Sequence, residues 1–202
     1  LRTRRQRQMC IRDSILDNED CMFSYRDSIF KNELKGRTLI HEVTFKLTKN
    51  NHIINASYGG ILDHLDSKNI SHPTIQDIAQ AVVEIRQAKL PDPNKIGNAG
   101  SFFKNPLIPK AQFDKLKESY PDIPGYEVAQ TDNIKVPAGW LIDRAGWKGK
   151  THGKVGVYKN QALVLVNHGE GNGQEILSLS SAIMEDIDNQ YGIELEREVN
   201  IV

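Results

Sequence analysis

Cysteine is scarce: Cys10 and Cys21 are the only two in 202 residues. Two thiols make no disulfide framework, and no Cys/His spacing fits a structural zinc. A reducing cytosol is therefore the expected compartment. The six histidines are scattered with no i,i+4 pair, so no metal is expected. Charge of one sign is lacking too, because 26 Lys and Arg balance 26 Asp and Glu. That argues against nucleic acid or an acidic membrane surface as the main partner. No apolar run reaches membrane-spanning length. The longest, "ALVLV" at 162–166, reads as a buried strand. What remains is a composition ordinary for a soluble globular protein, 39% hydrophobic and 26% charged. The length allows one large domain or two small ones with a real core.

Residues 1–14, "LRTRRQRQMCIRDS", carry five arginines and one aspartate, a net of +4, so the rest of the chain sums to −4. The segment has no apolar core of a signal peptide. It reads either as a basic arm or as translated sequencing-adapter sequence, which "QMCIRDS" resembles. It is set outside the fold, and with no initiator methionine the chain is expected to be the C-terminal part of a longer protein.

Hydrophobic periodicity outlines the remainder. "CMFSYRDSIFKNELKG" (21–36) ends in a short helix-like piece closed by Gly36. "TLIHEVTFKLT" (38–48) alternates and predicts a strand. "HIINASYGGIL" (52–62) predicts a short extended segment broken at Gly59-Gly60. "PTIQDIAQAVVEIRQAKL" (73–90) predicts a helix capped by Thr74, with Ile75, Ile78, Val82 and Ile85 on one face. Prolines and glycines in 91–100 end it and predict a loop. Further helices are predicted over 110–120, 137–146 and 173–192, a hairpin over 154–169 around Lys159-Asn160, and a closing strand over 193–202. The order is mixed without regular βα alternation, which gives an α+β class.

Five stretches could carry chemistry. In "SYRDS" (24–28), Arg26 is either half of a surface pair with Asp27 or a planar fork aimed at an anionic substrate. Lys89, on the last helical turn before "LPDP", either complements the helix C-terminus or binds phosphate. In "GNAGSFFKNP" (97–106), Gly97 and Gly100 permit unusual backbone, while Phe102 and Phe103 must pack and so hold Ser101 rigidly. That hydroxyl could plug a hydrogen bond, cap a turn or donate a proton. No G-x-S-x-G elbow marks it as a nucleophile. "LEREV" (195–199) puts Glu196 and Glu198 on one face of a strand, which reads as a solvated edge. "HGEGNG" (168–173) lacks the Lys-Ser/Thr of a phosphate loop and reads as a helix entry.

Taken together, "YRDSIFK", "SYGGIL", "RQAKLPDPNKIGNAGSFFKNP", "AGWLIDRAGWKG", "NQALVLVN" and "LEREV", in this order across residues 15–202, resemble the UDP-N-acetylenolpyruvoylglucosamine reductase (UDP-N-acetylmuramate dehydrogenase) family. The resemblance implies an NADPH-dependent, FAD-mediated reduction of UDP-N-acetylglucosamine enolpyruvate to UDP-N-acetylmuramate, in the cytoplasmic phase of peptidoglycan synthesis. It implies that Ser101 gives the proton, and that Arg26 steadies the substrate carboxylate. It implies that Glu198, protonated, assists the same developing charge. Lys89 matches a lysine at the nucleotide phosphates, and Tyr58, Asn105 and Gln161 match substrate contacts. The tyrosine of "SYGGIL" resembles the longer subtype, which has an extra loop over the substrate.

The same resemblance divides the chain. Residues 1–14 fall outside it, 15–91 match part of an FAD-binding domain, 92–190 match the substrate-binding domain, and 191–202 form the final strand carrying the terminal glutamate. No phosphate cradle for a dinucleotide is visible, so the main FAD site is expected outside this chain, which alone should be inactive. The rival reading is a non-catalytic UDP-sugar-binding module.

Overall fold

The computed structural model describes residues 14–57, 59–129 and 131–201. The chain forms two compact units, Leu1–Thr48 and Lys49–Val202. Among the described residues of the first, the regular element is a single 3-10 turn, Ile29–Lys31, followed by turns that close at Gly36 with φ +70°. The alternating stretch 38–48 is not a strand, and Leu39, Val43, Phe45 and Leu47 are exposed. A strand is stable only when its N–H and C=O groups pair with a neighbour. Among the described residues no segment pairs with this one, so its periodicity has nothing to act on.

The second unit begins with two helices. Helix α1 (Ile61–Ser67) starts after Gly60, whose φ is +78°. Helix α2 (Ile75–Lys89) starts at a reciprocal cap: Thr74 Oγ1 accepts from the Asp77 N–H at 3.3 Å, and the Thr74 N–H donates to Asp77 Oδ2 at 2.8 Å. Pro91 follows one residue past its end and keeps Leu90 extended. Ile61, Leu65 and Ala81 are buried between the two helices, with Ile78, Val82 and Ile85 half-buried beside them. Ile75, placed on the same predicted face, is 44% exposed. Across the pair, Glu84 accepts from Lys68 and Gln80 and lies 2.7 Å from His64 Nε2. The Lys68 ammonium, with those other hydrogen bonds, holds its carboxyl down at about 2.

Two small antiparallel sheets build the rest. One orders β1 (Gly97–Ser101), β7 (Val164–Asn167), β6 (Val155–Val157) and β5 (Thr151–His152) side by side. The other orders β2 (Leu107–Pro109), β4 (Asn133–Lys135) and β3 (Tyr126–Glu127). Helices α3 (Lys110–Ser119), α4 (Ala138–Arg144) and α5 (Gly173–Tyr191) complete an α+β fold. Helices α2 to α5 agree with the sequence reading, and so does the β6–β7 hairpin. Helix α1 and the β2–β4–β3 sheet escape it, because strands of two or three residues leave no periodicity to read. Among the described residues no helix is long and apolar enough to cross a membrane.

The core sits between α5 and the first sheet. Val155, Val157 and Leu165 face Leu179, Ile183 and Ile187, all under 4% exposed. Asn172 and Glu175 cap each other at the start of α5, and Gly192, at φ +62°, ends it. Trp147 Nε1 donates to Asp186 Oδ2 at 2.6 Å and ties the turn after α4 to α5.

One glycine is required by packing rather than by backbone angle. At Gly125 an added Cβ would overlap the Phe113 ring and meet Ile134 Cγ2 at 2.7 Å. Both neighbours are buried. Gly125→Ala should therefore lower stability by about 1–3 kcal/mol through overpacking, read as a lower Tm in thermal melts. An unchanged Tm would mean that α3 and β4 do not close on that residue.

Candidate active site

Ser101 owes its position to an extra residue in β1. Gly97 pairs with Asn167 and Asn98 with Val166, but Ser101 pairs with Val164. Three steps on β1 thus match two on β7, which is a β-bulge, a device that re-aims a side chain. Gly100 makes the bulge possible with φ +74°. Asn98 shapes it, accepting from the Gly100 N–H at 3.1 Å and donating to the Ile96 carbonyl at 3.0 Å. Glycine content alone predicts a loop over 97–101; the pairing with β7 overrides that propensity.

Immediately after the bulge, Phe102 and Phe103 are 3% and 1% exposed, with ring centroids 5.4 Å apart in an edge-on arrangement. Phe102 is a backbone hub. Its N–H donates to the Leu163 carbonyl at 2.8 Å, and its carbonyl accepts from the Glu198 N–H at 2.9 Å. The Lys104 N–H donates to the Glu196 carbonyl at 2.9 Å, so Phe103 faces Arg197 in an isolated antiparallel bridge. The terminal segment thereby lies against 102–104. Its bonds set Glu198 opposite Phe102, the residue next to Ser101.

Two further candidates meet at the start of α4. Asn105 Oδ1 accepts from the Ala138 N–H at 2.9 Å. That bond decides which way the amide faces, because its oxygen is committed and its NH2 points elsewhere. Gln161 Oε1 accepts from the Leu163 N–H at 3.4 Å and would lie 3.5 Å from a Cβ added at Gly139. Leu163 is also the residue that receives the Phe102 N–H. The neighbouring Asn160 donates to the Ala88 carbonyl at 3.2 Å, which brings the 158–163 loop to the end of α2 beside Lys89.

Backbone bonds at Phe102 bring Glu198 and the Gln161–Leu163 loop next to Ser101, Asn105 reaches the start of α4 through its side chain, and Lys89 lies beside Ala88, where Asn160 bonds. Ser101, Glu198, Asn105 and Gln161 are half-buried and Lys89 is exposed. Tyr58 lies outside the described residues. Arg26 belongs to the first unit, in a turn where the Ser24 and Asp27 backbones bond each other at 3.1 and 3.4 Å. Its φ is +56°, a region a non-glycine residue seldom takes, and Lys31 Nζ donates to its carbonyl at 2.8 Å. A cleft of about 400 Å3 lies elsewhere, lined by Lys110, Glu127, Val128, Thr131, Asp132 and Asn133 among others, and none of the predicted residues that are described lines it.

Sequence reasoning missed Lys104 and Arg197. The Lys104 ammonium meets Glu196 Oε1 at 2.5 Å across the bridge. The available signal was "LEREV" itself, since a basic residue flanked by two acids at strand spacing implies that opposite faces meet different partners.

The glycine-rich entry to α5 does not fit a dinucleotide phosphate. The N–H groups of Gly169 and Gly171 both donate to Asn167 Oδ1 at 3.0 Å. The Glu175 N–H goes to the Asn172 cap, and the Glu175 carboxylate accepts the Asn172 N–H in return.

Known proteins resemble the chain along most of its length. The family model described as UDP-N-acetylenolpyruvoylglucosamine reductase, C-terminal domain, matches residues 92–202. The protein of that name from Flavobacterium johnsoniae is 53% identical over 185 residues, which covers 92% of this chain and 55% of the relative. The one from Bdellovibrio bacteriovorus is 47% identical over 184 residues, covering 91% and 54%. The chain thus spans about half the length of these curated relatives. A solved reductase structure from Thermus caldophilus shares 22% identity over 62% of this chain and 34% of its own, with a TM-score of 0.37.

Asn105→Ala should strand the Ala138 N–H and cost about 1–3 kcal/mol, whereas Asn105→Asp keeps the acceptor and should leave Tm nearly unchanged. Equal losses in both, measured by thermal melts, would show that Oδ1 does not hold that N–H.

Proposed function

The chain belongs to the UDP-N-acetylenolpyruvoylglucosamine reductase family, and from that premise we propose that it binds UDP-N-acetylglucosamine enolpyruvate and protonates the enolpyruvyl carbon during reduction to UDP-N-acetylmuramate. The observation that carries this reading is the 2.9 Å bond from the Glu198 N–H to the Phe102 carbonyl. It supports a shared role for a hydroxyl and a carboxyl that lie far apart in sequence.

Reduction of the double bond adds two hydrogens. One arrives as hydride at the terminal carbon, the chemistry that a bound FAD would supply. The other arrives as a proton at the carbon bearing the carboxylate. Hydride addition leaves an electron pair there, delocalised into the carboxylate as an enolate. Ser101 Oγ gives its proton to that carbon, and the new C–H bond consumes the pair. Glu198 offers a hydrogen bond to the enolate oxygens. Asn105, its amide turned by the Ala138 bond, and Gln161 hold the sugar, and Lys89 meets the nucleotide phosphates. Tyr58 is assigned a substrate contact and Arg26 the substrate carboxylate, both on the family resemblance. The assignment of residues 15–91 to the flank of a flavin domain, and of NADPH as reductant, rests on the same ground.

Titration calorimetry of the 202-residue chain with UDP-N-acetylglucosamine enolpyruvate should show saturable binding. Lys89→Ala and Asn105→Asp should each weaken it about tenfold or more without lowering Tm. Absence of binding would contradict the reading. For turnover, residues 15–202 can replace the matching half of the Flavobacterium johnsoniae reductase, assayed with FAD and NADPH. In that chimaera Ser101→Ala should lower kcat by about 10²–10⁴-fold, the range of a lost proton donor, with KM little changed. Binding with no loss of turnover in Ser101→Ala would exclude the serine as donor.

A further inference from the structure

The two glutamates of "LEREV" are half of a pattern whose other half is Arg197. Its Nε donates to Ser180 Oγ at 2.8 Å and its Nη2 donates to Ser181 Oγ at 2.7 Å. Ser180 is fully buried in α5. Both serines spend their own hydrogens on one acceptor, the Leu177 carbonyl, at 2.8 and 3.0 Å. What they present to the terminal segment is therefore lone pairs only. Lone pairs suit a two-pronged cation and repel a carboxylate.

Arg197 sits at the centre of the bridge, opposite Phe103, with the two inter-segment bonds one residue to each side. Side chains of an extended segment alternate between faces. With Arg197 turned onto α5, Glu196 and Glu198 turn the other way. Glu196 fits this, since its side chain is 69% exposed and meets Lys104 there. A slip of one residue would exchange the faces and bring a glutamate against the serine lone pairs. Two backbone bonds alone would not resist that slip strongly.

We propose that Arg197 is a positioning residue: its fork on Ser180 and Ser181 locks the register of the terminal segment and so fixes where the Glu198 carboxyl stands beside the Ser101 bulge. The proposal rests on the role of Glu198 as the carboxyl that assists the enolate, and adds a residue to it. Lysine would not substitute, because an ammonium on a flexible stem cannot hold two separate oxygens in one plane.

The test combines amide exchange on the 202-residue chain with kinetics on the chimaera. Arg197→Lys should leave Tm and the exchange of α5 amides unchanged, while the Glu198 amide exchanges about tenfold faster or more. In the chimaera it should lower kcat about tenfold with KM within about twofold. Added to Glu198→Gln, it should lower kcat no further, since both changes act through one carboxyl. An unchanged Glu198 amide, or a double variant whose losses multiply, overturns the proposal. Normal turnover of Glu198→Gln alone would instead sink the role of Glu198, and with it the influence of Arg197 on kcat. The amide measurement would still decide the register lock by itself.

Discussion

The pairing of residues 102–104 with residues 196–198 is the contact on which the candidate site depends. It consists of two backbone hydrogen bonds, at 2.9 Å each, around the Phe103–Arg197 bridge. Without it Ser101 would remain at the end of β1 and Glu198 would have no defined place near it. The bonds are not what makes the pairing strong. Each contributes about 0.5–1.5 kcal/mol net, and the Lys104–Glu196 pair, half open to solvent, contributes less than about 1 kcal/mol. Burying a phenylalanine is worth more, since its removal from a core typically costs about 3–5 kcal/mol. Phe102 and Phe103, both almost fully buried, supply the strength, while the backbone bonds and the Arg197 fork supply the register.

The same division of labour runs through the second unit. Asn98 shapes the bulge, Asn105 caps α4, Asn160 ties a loop to α2, and Asn172 caps α5. Each amide satisfies backbone groups that a helix end or an irregular strand leaves unpaired. Ser101, Asn105 and Gln161 take their places from this scaffold, and their own side chains are only half-buried. Half-burial is what a binding residue needs: enough contact to fix its direction, and an open side to meet a ligand.

Long-period features were legible in the sequence. Helix α5 could be read from Ile176, Leu179, Ile183 and Ile187 together with Gly192, and α2 from Thr74 and its apolar face. Strand β1 was not legible, because its glycines disfavour a strand and its bulge breaks alternation; only Val164 and Asn167 on the partner strand explain it. Residues 38–48 failed in the opposite sense, with a clean pattern but no strand pairing among the described residues. The candidate site was proposed only through resemblance. Ser101 and Glu198 have no common spacing, and a pairing made only in the tertiary fold, the Glu198 N–H on the Phe102 carbonyl, leaves no periodic trace. Arg197 was hidden because its partners, Ser180 and Ser181, look like ordinary helix surface until α5 is packed.

The most direct test of the account is the scalar coupling transmitted across hydrogen bonds in isotope-labelled protein. Couplings should appear between the Glu198 amide nitrogen and the Phe102 carbonyl carbon, and between the Lys104 amide nitrogen and the Glu196 carbonyl carbon. Their absence, with the Glu198 amide exchanging freely with solvent, would contradict the convergence of Ser101 and Glu198 from which the functional reading is built.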